Sequence, residues 1–126
     1  MKQSAIIKAY KSLGKLGQQD LPIKLAFDLF KLTQMLQPHW DFQVNEEAKA
    51  SAAATKMPDG SVTFSTKEEA DTFRQRLKDL GDIDVDLKVK PVRIPLSLPG
   101  LMLSRDDIAA LDGFVQFLNE NNKKGE

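Results

Sequence analysis

A chain of 126 residues, 41% hydrophobic and 29% charged, has the size and composition of a single globular domain and not of a disordered segment. It has no cysteine, which removes disulfide frameworks, thiolate nucleophiles and cysteine-based zinc sites. Its formal net charge is zero, but residues 1–40 hold six lysines against two aspartates, and residues 41–126 hold twelve basic against sixteen acidic residues. Such a dipole favours head-to-tail association or docking on a charged partner, although a solvated surface carries it equally well.

The start, MKQSAIIKAYKSLGKLG, interrupts its apolar residues with lysines and lacks the apolar core of a signal peptide. No run reaches the ~18 apolar residues of a membrane span. The periodicity predicts a first helix over 3–16, with Ile6, Ala9, Tyr10, Leu13 and Leu16 on one stripe and Lys8, Lys11 and Lys15 on the other face. Gly17 closes it. Asp20 reads as an N-cap and Pro22 as a first-turn residue of a second helix. That helix carries Ile23, Leu25, Ala26, Phe27, Leu29, Phe30, Leu32, Met35 and Leu36, more than one face can bury. It should therefore be central to the fold or shared with another subunit. The short connection makes the two helices an antiparallel hairpin. Pro38 should kink or end the second helix, and the spacing of Trp40, Val44 and Ala48 favours a kinked continuation to Ala54.

Met57-Pro58-Asp59-Gly60 is a turn and 61–65 a short strand. Thr66 with Glu69 is a capping box opening a helix to Leu80, with Ala70, Phe73, Leu77 and Leu80 as its stripe and Gly81 as its stop. Residues 83–89 alternate cleanly, Ile83, Val85, Leu87 and Val89 to one side and acids or lysines to the other, as in a strand with one buried face. Beyond Pro91 the phase slips by one residue to Val92, Ile94, Leu96 and Leu98, and Pro91, Pro95 and Pro99 restrict the segment to an edge or irregular arm. Ser104 with Asp107 opens a last helix striped by Ile108, Leu111, Val115 and Leu118, and 121–126 read as a disordered tail.

The expected architecture is α+β in the order ααβαβ(β)α: one domain over 1–120, with an N-terminal helical hairpin, a long kinked second helix, a small two- or three-stranded sheet and two further helices. Pairing of 61–65 with 83–89 is expected, parallel or antiparallel.

No set of residues spells out a catalytic or cofactor site. His39 is the single histidine; a general base with Asp41 and a nucleophile at Ser51 are conceivable, but a kink or surface residue beside Pro38 is the simpler reading. Asp82, Asp84 and Asp86 imitate the start of a calcium loop, which fails at Leu87, where glycine is needed, and at Arg93, where glutamate is needed. No phosphate-cradling glycine motif is present. The expectation is no cofactor and no metal. Lys8, Lys11 and Lys15 form a candidate basic face, but zero net charge and the lack of basic–aromatic interleaving argue against nucleic acid. Phe27, Phe30, Met35 and Trp40 are either core or a candidate interface.

LPIKLAFDLFKL, LQPHWDF and NEEAKA, followed by PDGSVTF, KEEADTFRQRLKDL, IDVDLKVKPVRIPLSL and LSRDDIAALDGF, resemble a family of small tailed-phage and prophage proteins. The resemblance runs from about Leu13 to Leu118 and departs in EEAKASAAAT, where the family carries more charge and larger apolar residues. It implies a phage setting and the same mixed fold, and brings no catalytic residue. The expected function is therefore non-enzymatic, through protein–protein contacts in assembly or an accessory role. Partners would be a second copy of the chain or a phage or host protein, in the bacterial cytoplasm or the virion, without a membrane. A host-takeover protein that sequesters a host protein or small signalling ligand is one alternative. Nucleic-acid binding through the first helix is the other.

Overall fold

The computed structural model describes residues 1–52 and 54–118; the tail expected at 121–126 lies outside the described residues. In chain order the elements are α1 (Gln3–Gly17), α2 (Ile23–Ala50), β1 (Thr55–Lys56), β2 (Val62–Thr63), α3 (Lys67–Gly81), β3 (Val92–Pro95), α4 (Arg105–Ala110) and β4 (Val115–Leu118). The class is α+β, with an N-terminal helical hairpin.

The central element is α1, not the longer α2. Ile6, Ile7, Ala9, Leu13 and Leu16 are buried, and so are Gln3 and Ser12. Helices α2, α3 and α4 all pack on α1. α2 runs antiparallel to it: Gln3 Nε2 donates to the His39 carbonyl at 3.0 Å and to Gln43 Oε1 at 3.3 Å, and the Tyr10 ring stacks on Trp40 at 4.7 Å. From α2 only Leu25, Leu29, Leu32 and Leu36 enter the core.

The structure corrects several boundaries. α2 begins at Ile23 behind Pro22, with no side-chain cap, so Asp20 does not cap it. It runs unbroken through Pro38, because Pro38 and Gln34, whose carbonyl loses a donor there, both face solvent while Leu32 and Leu36 anchor the inner side. It stops at Ala50 and not Ala54, since the alanine-rich continuation has no large apolar residue to hold it down.

The pairing of 61–65 with 83–89 does not occur. β2 pairs antiparallel with β1 across the Pro58-Asp59-Gly60 turn, Thr55 opposite Thr63. Gly60 takes φ +89°, and Asp59 Oδ1 accepts from Ser61 N at 2.9 Å and Ser61 Oγ at 2.6 Å. These two bonds hold the Asp59 carboxyl below its ordinary range, the hydroxyl contributing most. Residues 85–89 alternate in burial, with Val85, Leu87 and Val89 packed on the core, whereas Ile83, expected on the same buried side, is exposed; the segment is a tether without a ladder. Its recorded bridge joins Asp84 to Lys2.

The parallel strands lie further along. β3 pairs with β4, Val92 opposite Val115 and Ile94 opposite Phe117, with α4 in the crossover. The predicted last helix therefore ends at Ala110. Gly113 turns the chain at φ +85°, and Val115 and Leu118, read as a helical stripe, belong to a strand. Thr66 caps α3 by accepting from Glu69 N at 3.1 Å, whereas Ser104 and Asp107 complete both bonds of a capping box.

The two faces of α2 should respond oppositely to truncation. Leu36→Ala is expected to cost about 2–5 kcal/mol and Phe27→Ala to stay within about 0.5 kcal/mol. Urea denaturation of both variants checks this; a similar loss for each would mean that Phe27 is core.

Candidate functional site

α2 presents apolar side chains to solvent directly opposite its buried leucines. Ile23, Phe27 and Phe30 follow one another at helical spacing and are 87%, 56% and 55% exposed. The Lys31 ammonium lies 5.6 Å from the centre of the Phe27 ring. Further along the same side, Phe30, Thr33, Gln34, Gln37, Pro38 and Asp41 border a shallow, open depression in the helix surface. Phe30 also borders a hollow of about 250 Å³ at the α1–α2 corner, where Gly14, Gly17 and Ala26 leave room. Met102, itself exposed, is held near that corner by the Gln19 amide, which donates to the Met102 carbonyl at 2.7 Å and accepts from its N–H at 2.9 Å.

The four residues singled out from sequence thus divide. Phe27 and Phe30 share the outer face. Met35 is exposed but lies on the flank, one heptad before Phe42. Trp40 is half-buried in the α1–α2 seam against Tyr10 and belongs to the packing of the hairpin.

The basic face of α1 also divides. Lys8 and Lys11 are exposed, whereas Lys15 Nζ lies 3.1 and 3.2 Å from the carboxylate oxygens of Asp107. That carboxylate is 8% exposed and also accepts from Ser12 Oγ at 2.9 Å and Ser104 N at 3.2 Å. The Lys15 ammonium first, and then the Ser12 hydroxyl, hold its titration well below the usual carboxylate range. With its oxygens committed to these donors, Asp107 clasps α4 to α1 and offers no free base. Sequence reading found Asp107 as a capping residue but missed its partners. The available signal was Ser12, a hydroxyl set between Ala9 and Leu16 on the apolar side of α1.

His39, Asp41 and Ser51 are not brought together. The Asp41 carboxylate accepts from Gln37 Nε2 at 3.0 Å, and Ser51 Oγ donates to the Ala48 carbonyl at 3.3 Å. Ser51 follows His39 by roughly 18 Å along the helix direction. Lys2 pairs with Asp84 at 3.3 Å, and among the described residues no cluster of His, Asp and Glu is arranged to hold a metal ion. A crevice of about 260 Å³ between α2 and α3, lined by Phe42, Glu46, Arg76, Leu77, Leu80 and Ile83, contains the buried Glu46 Oε2. Its nearest cations, Lys49 and Arg76, stand at 3.8 and 3.9 Å. No described helix is long and apolar enough to cross a membrane.

Comparison with protein-family models, with curated proteins and with solved structures finds no match for this chain.

The Asp107 clasp has a defined pH signature. Its carboxyl titrates lower in the folded chain than the ~3.9 of an unfolded aspartate. Its contribution is therefore fully present above about pH 4 and is lost as pH falls below that value. The stability difference between wild type and Asp107→Asn should stay constant from neutral pH to about pH 5 and then narrow as the solution is acidified further. Urea titrations across that range test it, and a difference that does not narrow would remove the clasp from the account.

Proposed function

We propose that this chain is a non-enzymatic protein that works through contacts with other proteins, using the outer face of α2. The observation that carries this reading is the run Ile23, Phe27 and Phe30, exposed on the side of α2 opposite its buried leucines. A helix needs only one apolar stripe to join a core, so a second stripe of large residues on its solvent side is a feature of recognition surfaces. Aromatic residues on such a face make efficient anchors, having large area and few rotatable bonds.

The Asp41 carboxylate and the Ser51 hydroxyl bond to Gln37 and to the Ala48 carbonyl, and not to each other, which supports leaving catalysis out of the role. The engagement of Lys15 by Asp107 leaves Lys8 and Lys11 as a small basic patch, which favours protein over nucleic acid as the partner. The resemblance to small tailed-phage proteins supports a setting in a bacterial cell or virus particle, in assembly or an accessory role.

A photo-crosslinking amino acid in place of Phe30, with the same group in place of Glu68 on the exposed side of α3 as control, tests the reading. In cells producing the protein, the residue-30 probe should give a discrete protein adduct and the residue-68 probe none. Equal labelling at both positions, or none at either, would sink the α2 face as the contact surface.

A further inference from the structure

The chain contains two Asp–Gly pairs, Asp59-Gly60 at the tip of the β1–β2 hairpin and Asp112-Gly113 between α4 and β4. A peptide chain rearranges readily at such a pair, because glycine has no side chain to shield its amide nitrogen. The nitrogen attacks the aspartate Cγ and a C–N bond forms, while the carboxyl hydroxyl and the amide proton leave as water. The five-membered succinimide so formed takes up water at either carbonyl and opens to aspartate or to isoaspartate. Water is the sole co-reactant, and nothing is oxidised or reduced. We propose that Asp112-Gly113 is a site of spontaneous isoaspartate formation in the folded protein, and that the fold protects Asp59-Gly60 from the same reaction.

The two pairs share their reacting atoms and differ in what holds those atoms. At the hairpin tip both are engaged. Asp59 Oδ1 accepts from Ser61 N at 2.9 Å and from Ser61 Oγ at 2.6 Å, and Gly60 N donates to the Met57 carbonyl at 3.0 Å. Cγ can turn towards the Gly60 nitrogen only after these bonds open. The Ser61 bonds also keep the Asp59 carboxyl ionised, and the ionised group has no hydroxyl to lose.

Between α4 and β4 neither atom is engaged. Asp112 and Gly113 are both exposed, and among the described residues the Asp112 carboxylate receives no hydrogen bond and the Gly113 N–H has no acceptor. The N–H groups of Phe114 and Val115 both donate to the Leu111 carbonyl at 2.9 Å, which leaves the Gly113 N–H out of the turn's bonding. The turn itself selects glycine through its φ of +85°, so the residue that exposes the nitrogen is the residue the backbone requires.

Isoaspartate at 112 routes the main chain through the side-chain methylene and so adds a backbone carbon just ahead of β4. Val92 N donates to the Phe114 carbonyl at 3.1 Å, and Val92 lies opposite Val115. The added atom therefore falls where β4 is aligned with β3, and the modification loosens that pair.

The test is peptide mapping of the full chain after weeks at physiological temperature and neutral pH, with electron-transfer fragmentation to tell isoaspartate from aspartate. One sample is kept folded in buffer and the other unfolded in guanidinium chloride. The unfolded chain should convert at like rates at the two pairs. In the folded chain position 112 should convert at least about tenfold faster than position 59, the factor that one charge-assisted hydrogen bond imposes on a step that must break it. Ser61→Ala, which removes the hydroxyl bond at an exposed position, should raise conversion at 59 and leave 112 unchanged. Equal conversion in the folded chain, or a lead for 59, overturns the inference. An equal lead for 112 in the unfolded chain also overturns it, because the difference then belongs to neighbouring residues and not to the fold. Ser61→Ala without effect at 59 overturns the protection assigned to the hairpin tip.

Discussion

Helix α1 has apolar residues around more of its circumference than one neighbour can cover, and Gln3 and Ser12 sit among them. Burying it imposes two demands at once: cover from several directions, and a hydrogen-bond partner for each enclosed polar atom. The rest of the fold meets both. α2 lies along one side and supplies the His39 carbonyl and the Gln43 amide oxygen to Gln3. α4 lies against another and supplies Asp107 to Ser12. The extended segment after α3 closes the start of the helix, where Gln3 N donates to the Ile83 carbonyl at 2.9 Å. Polar atoms thus fix the placement of elements whose apolar contacts alone would tolerate sliding.

The clasp on Asp107 ties secondary structure to packing. The same side chain completes the capping box that starts α4 and reaches across to Ser12 and Lys15, so helix initiation and docking share one carboxylate. A six-residue helix has little stability of its own, and this anchoring sets its direction. From there Gly113 turns the chain, and β4 lies down beside β3 in parallel. Ile94 and Val115 of this pair fill the end of the core with Phe114 and Leu111.

The position of α1 also accounts for the candidate site. With α1 at the centre, α2 becomes a flank that spends its leucine stripe on the hairpin and leaves Ile23, Phe27 and Phe30 on the outside. Pro38 interrupts the same outer side, and the depression beside it is formed by residues of α2 itself. The proposed contact surface therefore belongs to one rigid helix, which favours a pre-formed surface over one that must be ordered on binding.

Local signals in the sequence determined most of the elements. The helical stripes of α1 and α3, the Pro-Asp-Gly turn, the Ser104–Asp107 cap and the burial alternation of 85–89 each follow from periods and backbone preferences confined to a few neighbouring residues. The tertiary structure decided what those preferences leave degenerate. Alternation shows that one side of 85–89 is buried but not that its cover is helical, so a tether and a strand look alike. Val115 and Leu118 satisfy a helical spacing while Val115 and Phe117 satisfy a strand, and the open partner edge of β3 settled which. The excess of apolar residues on α2 suggested a central helix; which helix is enclosed depends on how many neighbours pack around it. Ser12, Lys15 and Asp107 lie more than ninety positions apart in pairing, and no local rule joins a hydroxyl on one helix to a cap on another. The sequence determined elements because their forces act between near neighbours, and the tertiary structure decided partners because burial is a property of the whole chain.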